Sequence, residues 1–551
     1  MTVTNFRCFL FAIFALLLNS SCSTIGESNQ QKQVVVENGT IKKAIEIGGN
    51  WTKSGSELVS SASTNCLIAG NSINDGDFQV NLHLSIDSIN GSSAQVYFAG
   101  SYFIFDAKSV NASGKPQLAI SGVLFPKYKY IGDAEKYIRT GVPFDFKMKK
   151  KAQNISFYID DKPIFATKIT TALSGYIALQ TKRNRMKVSA FSIQGKLSPV
   201  KPINFLYECG TEGYFGFRIP AIVTSAKGTL LAFAEGRKSR MSDTGDIDLV
   251  LKRSENNGKT WSKLSVIWND SLNVCGNPCP VVDKTTGTIY LICCWNLGTD
   301  FESVNPKLTG KDPRRIFVIE STDDGKTWSK PREITRSAKE EGWAWYATGP
   351  CHGVQLEKSQ YRGRLIIPCN HIDLKIKKNF VHVIYSDDHG KTWKLGGSTP
   401  QDQVNESTMA ELSDGKLMLN MRNFNEKEKD RKVSVSPDGG MSWGSIYSDK
   451  VLIEPICQGN LFRYSFPEEG KSRLLFSNPA DETLRRNLTL RLSYDEGSTW
   501  AKSMVIYAGP SAYSDLTRLI NGNIGCIYEN GYLNQNQGIT FQEVSLQELE
   551  K

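Results

Sequence analysis

Ser321-Thr-Asp-Asp-Gly-Lys-Thr-Trp328 decides how this chain is read, because its pattern occurs four more times. The other copies are Ser254-Glu-Asn-Asn-Gly-Lys-Thr-Trp261, Ser386-Asp-Asp-His-Gly-Lys-Thr-Trp393, Ser436-Pro-Asp-Gly-Gly-Met-Ser-Trp443 and Ser493-Tyr-Asp-Glu-Gly-Ser-Thr-Trp500. Successive copies start 67, 65, 50 and 57 residues apart. Self-similarity at such an interval marks a repeat architecture. In each copy the third residue, Asp or Asn, can accept hydrogen bonds from turn amides, the glycine can take a positive φ, and the tryptophan can pack between strands. Each copy is therefore a hairpin turn, and the interval leaves room for one four-stranded sheet per repeat. The 351 residues from 201 onward hold about six such sheets, which a radial array accommodates. The reading is all-β, with residues 200–551 as a six-bladed β-propeller.

Tryptophan usage sets the other boundary: only Trp51 precedes residue 200 and nine follow it. Residues 47–195 contain short alternating segments, such as Gln79-Val-Asn-Leu-His-Leu-Ser-Ile86 and Ile155-Ser-Phe-Tyr-Ile159, separated by Asn-Gly, Asp-Gly and Asp-Asp turns. Such alternation predicts an antiparallel β-sandwich, similar to the carbohydrate-binding modules attached to glycosidases, although a purely structural spacer fits equally. Residues 24–46 are polar and read as a linker. Residues 1–23 place Arg7 ahead of the apolar run Phe9–Leu18 and then Asn-Ser-Ser-Cys22, the layout of an export signal too short to span a bilayer. Simple cleavage and a lipidated Cys22, giving a membrane tether, are both open. The expected location is exported: periplasmic, anchored to an outer membrane, or secreted.

Composition narrows the function classes. With 551 residues, 40% hydrophobic content and a mean hydropathy of -0.32, most of the chain can bury a core. The net charge of +10 is uneven. Residues 24–200 carry 21 basic against 13 acidic side chains, and residues 201–551 carry 44 against 43. This gives no basic footprint for nucleic acid, and the cluster Lys147–Lys151 reads as a solvated stretch. Twelve cysteines at irregular spacing and five histidines supply no zinc pattern, so neither metal nor cofactor is expected. A monomer is.

Between the repeats lie Tyr214-Phe-Gly-Phe-Arg218-Ile-Pro220, Ala234-Glu-Gly-Arg237 and Ser242-Asp243-Thr-Gly-Asp. Farther on come Asn405-Glu406-Ser, Met421-Arg422-Asn, Cys457-Gln458-Gly, Arg485 beside Arg486, Tyr513-Ser-Asp-Leu and Cys526-Ile-Tyr-Glu529. Taken singly, each could be a surface charge or a packing residue. In this order, interleaved with the five turns, they resemble the sialidase (exo-α-neuraminidase) superfamily over about 350 residues, and the turns resemble its Asp boxes.

The resemblance implies a retaining exo-α-sialidase acting on terminal sialic acid of glycoproteins, glycolipids and oligosaccharides. Sialic acid bears a carboxylate on its anomeric carbon, which calls for planar, permanently charged donors. The resemblance assigns these to Arg218, Arg422 and Arg485, with Glu529 neutralising Arg218. That same carboxylate disfavours an anionic nucleophile, and sialidases use tyrosine instead. Tyr513 is then the nucleophile, Glu406 its base and Asp243 the general acid. Arg237, Asn277, Gln458 and His371 are further candidates for substrate contact. A trans-sialidase, an enzyme releasing an anhydro product and a non-catalytic sialoglycan-binding propeller are the alternatives.

Overall fold

The computed structural model describes residues 30–551 apart from 49–50, 63–64, 90–92, 109–113, 171 and 301–313. The export signal and Cys22 lie outside the described residues. Strands dominate, and helix among the described residues is limited to short pieces such as Thr335–Ala338 and Leu546–Glu550. The chain divides after Val200 into two units.

In the first unit, two antiparallel sheets of nine and seven strands share one apolar core. Phe103 of the smaller sheet lies 4.7 Å from Phe146 and 5.2 Å from Phe157 of the larger, ring centre to ring centre. Period-two alternation produces this directly: along Phe144–Lys151, Phe144, Phe146 and Met148 are buried, while Lys147, Lys149 and Lys151 face outward. The lysine cluster is thus the solvated face of a strand. Lys150 instead folds back to donate to the Gly76 carbonyl at 2.8 Å.

The linker expected over 24–46 is corrected by the structure from residue 31 onward, its first residues lying outside the described ones. Gln31–Glu37 pairs antiparallel with Met186–Pro199, and Ala44–Gly48 pairs with Asn65–Ala69. Polar composition misled because an outer strand needs only a few inward apolar residues; here Val35 and Val36 suffice, both fully buried.

In the second unit the strands form successive four-stranded antiparallel groups. Their first strands are Gly216–Thr224, Val274–Val282, Trp343–Thr348 with Val354–Gln355, Val404–Glu411, Asn460–Ser465 and the second half of Lys502–Arg518. The last group is completed from the other end of the unit, where Phe205–Glu208 pairs with Gly538–Val544. Ile222, Val282, Val354, Met409, Phe462 and Leu516, one from each first strand, line a single cavity of 410 Å3.

Each repeated turn forms the bonds its sequence predicts. Asp323 accepts from the Lys326 and Thr327 amides at 3.0 and 2.9 Å and from the Thr327 hydroxyl at 2.6 Å. In the first copy Asn256 substitutes for the acid: its Oδ1 accepts from the Thr260 amide at 2.9 Å while its amide donates to the Thr260 hydroxyl. The glycines also pack onto the preceding group. A Cβ on Gly325 would meet Leu231 at 2.2 Å, and one on Gly258 would meet Phe541 of the last group at 2.0 Å.

Gly390 combines both demands, with φ +74° and three Tyr290 ring atoms within 2.6 Å of any Cβ. Gly390→Ala should therefore lower stability by at least about 2 kcal/mol. Gly363→Ala, with φ +93° and open space around it, should cost only the backbone strain of about 1–2 kcal/mol. Urea unfolding midpoints compare the two.

Candidate active site

Four of the functional side chains come from the ends of first strands opposite that cavity, and irregular register delivers them. Antiparallel pairing shifts between Arg218 and Ala221, Gly276 and Cys279, Val404 and Ser407, and Ser511 and Ser514. A β-bulge re-aims side chains that a regular ladder would direct into the sheet interface. Arg218, Asn277, Glu406 and Tyr513 sit in these four bulges. Ile219 and Asn277 carry the positive φ values of 55° and 52° that go with them.

Tyr513 is at the centre. Its hydroxyl donates to Glu406 Oε1 in a very short hydrogen bond, and Arg422 Nη1 donates to Glu406 Oε2 at 2.6 Å and to the phenol oxygen at 3.2 Å. The Arg218 and Arg485 guanidiniums lie 4.9 and 5.8 Å from the centre of the Tyr513 ring. Three arginines thus surround one phenol. Burial, reinforced by the Glu406 carboxylate, pushes the phenol well above its ordinary pKa, and the three guanidiniums only partly offset this. At neutral pH Tyr513 is therefore a phenol, hydrogen-bonded to a carboxylate of the kind that can act as a base toward it.

The arginines differ in how they are neutralised. Arg218 makes a two-pronged contact with Glu529, Nε to Oε1 at 3.0 Å and Nη2 to Oε2 at 3.1 Å, and the Ile219 amide donates to the same Oε1 at 2.9 Å. Burial opposes the Arg218 charge, but Glu529 more than compensates. Arg422 is paired with Glu406. Arg485 donates to the Ile456 carbonyl at 3.0 Å and enters none of the ion pairs found among the described residues. Its neighbour Arg486 turns away to Asp481 at 2.6 Å, with 43% of its side chain exposed. The choice between the two, which sequence left to spacing, is a matter of strand direction.

Asp243 stands at the rim, 2.6 Å from Arg237 Nη2 and 4.0 Å from Arg218 Nη1. Desolvation opposes its charge, yet Arg237 and Arg218 outweigh it and hold the carboxyl below the usual carboxylate range. Arg237 is itself almost fully buried, held by Glu235 Oε2 at 2.7 Å and the Met241 carbonyl at 2.6 Å. Glu235 also accepts from the Asn277 amide at 2.8 Å. Sequence reading quoted Glu235 only as part of a motif. Its signal was the two-residue spacing to Arg237, which puts both on one face of a strand. Asn277 Oδ1 is taken by Arg314, which stacks on Trp345 at 3.9 Å; neither partner lies in a motif that sequence singled out.

Two expected substrate contacts are corrected. His371 is buried, stacked 3.5 Å from the Trp343 ring with Nδ1 2.9 Å from Nδ1 of His382, and burial lowers its pKa to about 3. It is a neutral packing residue, because Pro368-Cys-Asn-His371 lies along a strand buried on both faces. Gln458 is 1% exposed with both ends of its amide bonded to the Ser514 backbone, so no polar atom is left for a sugar.

Fold and site together define an all-β repeat protein with Asp-box turns and a carboxylate-held phenol ringed by arginines. A BNR repeat-like domain model matches residues 228–526. The sialidase of Micromonospora viridifaciens is 34% identical over 333 residues, covering 58% of this chain and 51% of that protein. The exo-alpha-sialidase of Aspergillus fumigatus is 33% identical over 354 residues, covering 59% of this chain and 81% of that one. Among solved structures, the Hadza microbial sialidase Hz136 superposes with a TM-score of 0.57 at 24% identity, over 87% of this chain and 96% of its own; that likeness speaks to fold. The chain belongs to the sialidase superfamily, within the BNR repeat-like proteins. It spans about half the length of the Micromonospora relative.

Proposed function

We propose that this chain is an exported exo-α-sialidase that hydrolyses terminal sialic acid from glycoconjugates with retention, through a covalent intermediate on Tyr513. The observation that carries this is the bond from the Tyr513 phenol to Glu406 inside a ring of three guanidiniums. A sugar carboxylate bound by Arg218, Arg422 and Arg485 would bring its anomeric carbon over the phenol. It would also offset the positive charge that holds Asp243 ionised, so Asp243 would gain a proton more readily with substrate bound. That is the state a general acid needs.

The second unit is read as a closed six-bladed propeller. Six first strands around one cavity support this, as do the packing of Gly258 against Phe541 and the pairing of Phe205–Glu208 with the last group. Radial closure explains why bulges far apart in sequence meet at one axis. The first unit is read as a β-sandwich, from its two sheets around a shared core.

Incubating the purified chain with a sialylated oligosaccharide and identifying each product tests the activity. Free sialic acid released initially as the α-anomer is expected. An anhydro sugar or a sialylated acceptor would reassign the chemistry, and an unaltered substrate would end the reading. Arg485→Lys should raise KM about tenfold, because one ammonium cannot reproduce a planar two-pronged grip; steady-state kinetics with a soluble sialoside measures it.

A further inference from the structure

We infer that Gln458 is a positioning residue that sets the Tyr513 phenol by closing on the backbone of the next residue. The inference rests on the reading of Tyr513 as the nucleophile and adds a residue that never touches substrate.

Ser514 lies in the half of Lys502–Arg518 that pairs only with Ile524–Asn530. Among the described residues no strand pairs with its other edge, so its backbone groups need partners from elsewhere. Gln458, on the segment leading into Asn460–Ser465, supplies both: Nε2 donates to the Ser514 carbonyl at 2.9 Å and Oε1 accepts from the Ser514 amide at 2.9 Å. One amide thus completes the pairing a neighbouring strand would have made. The second Nε2 proton points to Cys351 Sγ.

The clamp acts where the chain is least constrained. Register shifts between Ser511 and Ser514, so Ala512 and Tyr513 stand out of the ladder, and the first regular residue after the bulge is the one Gln458 holds. The next residue is tied as well: Asp515 Oδ2 accepts from the Ile222 amide at 2.8 Å and Oδ1 bonds His352 Nδ1 at 2.7 Å. Ser514 Oγ meets Ser477 Oγ at 2.8 Å. The phenol hydroxyl is bonded by Glu406 and Arg422, and its ring packs with Ile219 and Cys457 beneath the Arg218 and Arg485 guanidiniums, contacts that fix the ring but not the backbone that carries it. The Tyr513 backbone position is set by its clamped neighbour Ser514, and reaction rates fall steeply when reacting atoms are misplaced by an ångström.

Two variants separate positioning from simple stability. Gln458→Met keeps length and bulk but makes neither bond. Gln458→Glu keeps the shape and restores one donor and one acceptor only when its carboxyl is protonated. The groups around that position are Cys351, held neutral by burial, the Asp515–His352 pair, Arg431, which bonds the Cys457 carbonyl and is itself paired with Glu454, and, acting on the adjoining Cys457, Arg485 and Arg422. Burial and the Asp515 charge raise the pKa of a carboxyl introduced there, so its protonated fraction grows as pH falls.

The experiment uses the full chain with 3-fluorotyrosine at position 513, read by 19F NMR, alongside steady-state turnover of a soluble sialoside by the unlabelled proteins. Gln458→Met is expected to broaden or split the single 19F line and to lower kcat about 10- to 100-fold with KM changed less than about threefold. For Gln458→Glu, kcat relative to the parent is expected to rise as pH is lowered from neutral. An unmoved 19F line with parental kcat in Gln458→Met, or a pH-independent ratio in Gln458→Glu, would overturn the positioning role. If Gln458→Met does not fold, the pH-dependent ratio of the isosteric variant decides alone. A parent that leaves sialosides intact would defeat the proposed activity instead, and the 19F line would still decide whether Gln458 positions the phenol.

Discussion

Tyr513→Phe should leave a folded protein that turns over a soluble sialoside at least about 10³-fold more slowly, the scale of loss expected if the deleted hydroxyl is the nucleophile. The change removes one oxygen. Glu406 keeps its ion pair with Arg422 at 2.6 Å, so no buried charge is stranded and unfolding in urea should move little. The loss should fall on kcat, because the guanidiniums that would bind the sugar acid are untouched. The proton explains the size of the effect: burial keeps the phenol protonated, and Glu406 can activate only a group that has a proton to give. A variant that keeps its turnover would move the nucleophile elsewhere and leave the phenol as a wall of the pocket.

Glu529→Ala should have its largest effect on stability, about 3–5 kcal/mol, the cost of leaving a buried cation unpaired. Glu529 is 1% exposed and receives three hydrogen bonds, two from Arg218 and one from the Ile219 amide. Removing it strands the guanidinium and releases the bulge that aims it, so KM for a sialoside should rise as well. Lys416→Ala provides the contrast, since its pair with Asp414 is about half exposed on both sides and should be worth less than about 1 kcal/mol. Urea midpoints for the two variants and the parent test the ordering. Equal midpoints would mean that Arg218 finds another counter-charge, for which Asp243 at 4.0 Å is the nearest candidate.

Much of the site was legible because its members are chemically unusual in sequence. Arg218, Glu406 and Tyr513 each sit in a short motif at a bulge, Arg422 sits in one facing the Glu406 bulge, and their order along the chain carries the resemblance. Glu235 was readable in principle from its two-residue spacing to Arg237. Arg314 was not: it lies just ahead of Arg315–Ser321, two strands across the same group from Asn277, and bonds it over a separation of 37 residues, a contact that leaves no local pattern. His371 failed for a related reason. A histidine beside Cys and Asn looks functional in one dimension, but the strand Leu365–Asp373 is covered on both faces and Trp343 stacks on its ring.

The sequence by itself determined the elements and their turns. The Asp-box bonds run between residues three or four apart, as from Asp323 to Thr327, and alternating apolar residues assign each strand's buried face whatever its neighbours are. Only the tertiary structure decided which side chains share the centre. Arg485 rather than Arg486 reaches the phenol, Gln458 is spent on the Ser514 backbone, and the polar stretch after residue 30 enters a sheet. Each outcome depends on which way a strand presents its residues to partners tens or hundreds of positions away, and that is fixed by register and bulges across the assembled sheets.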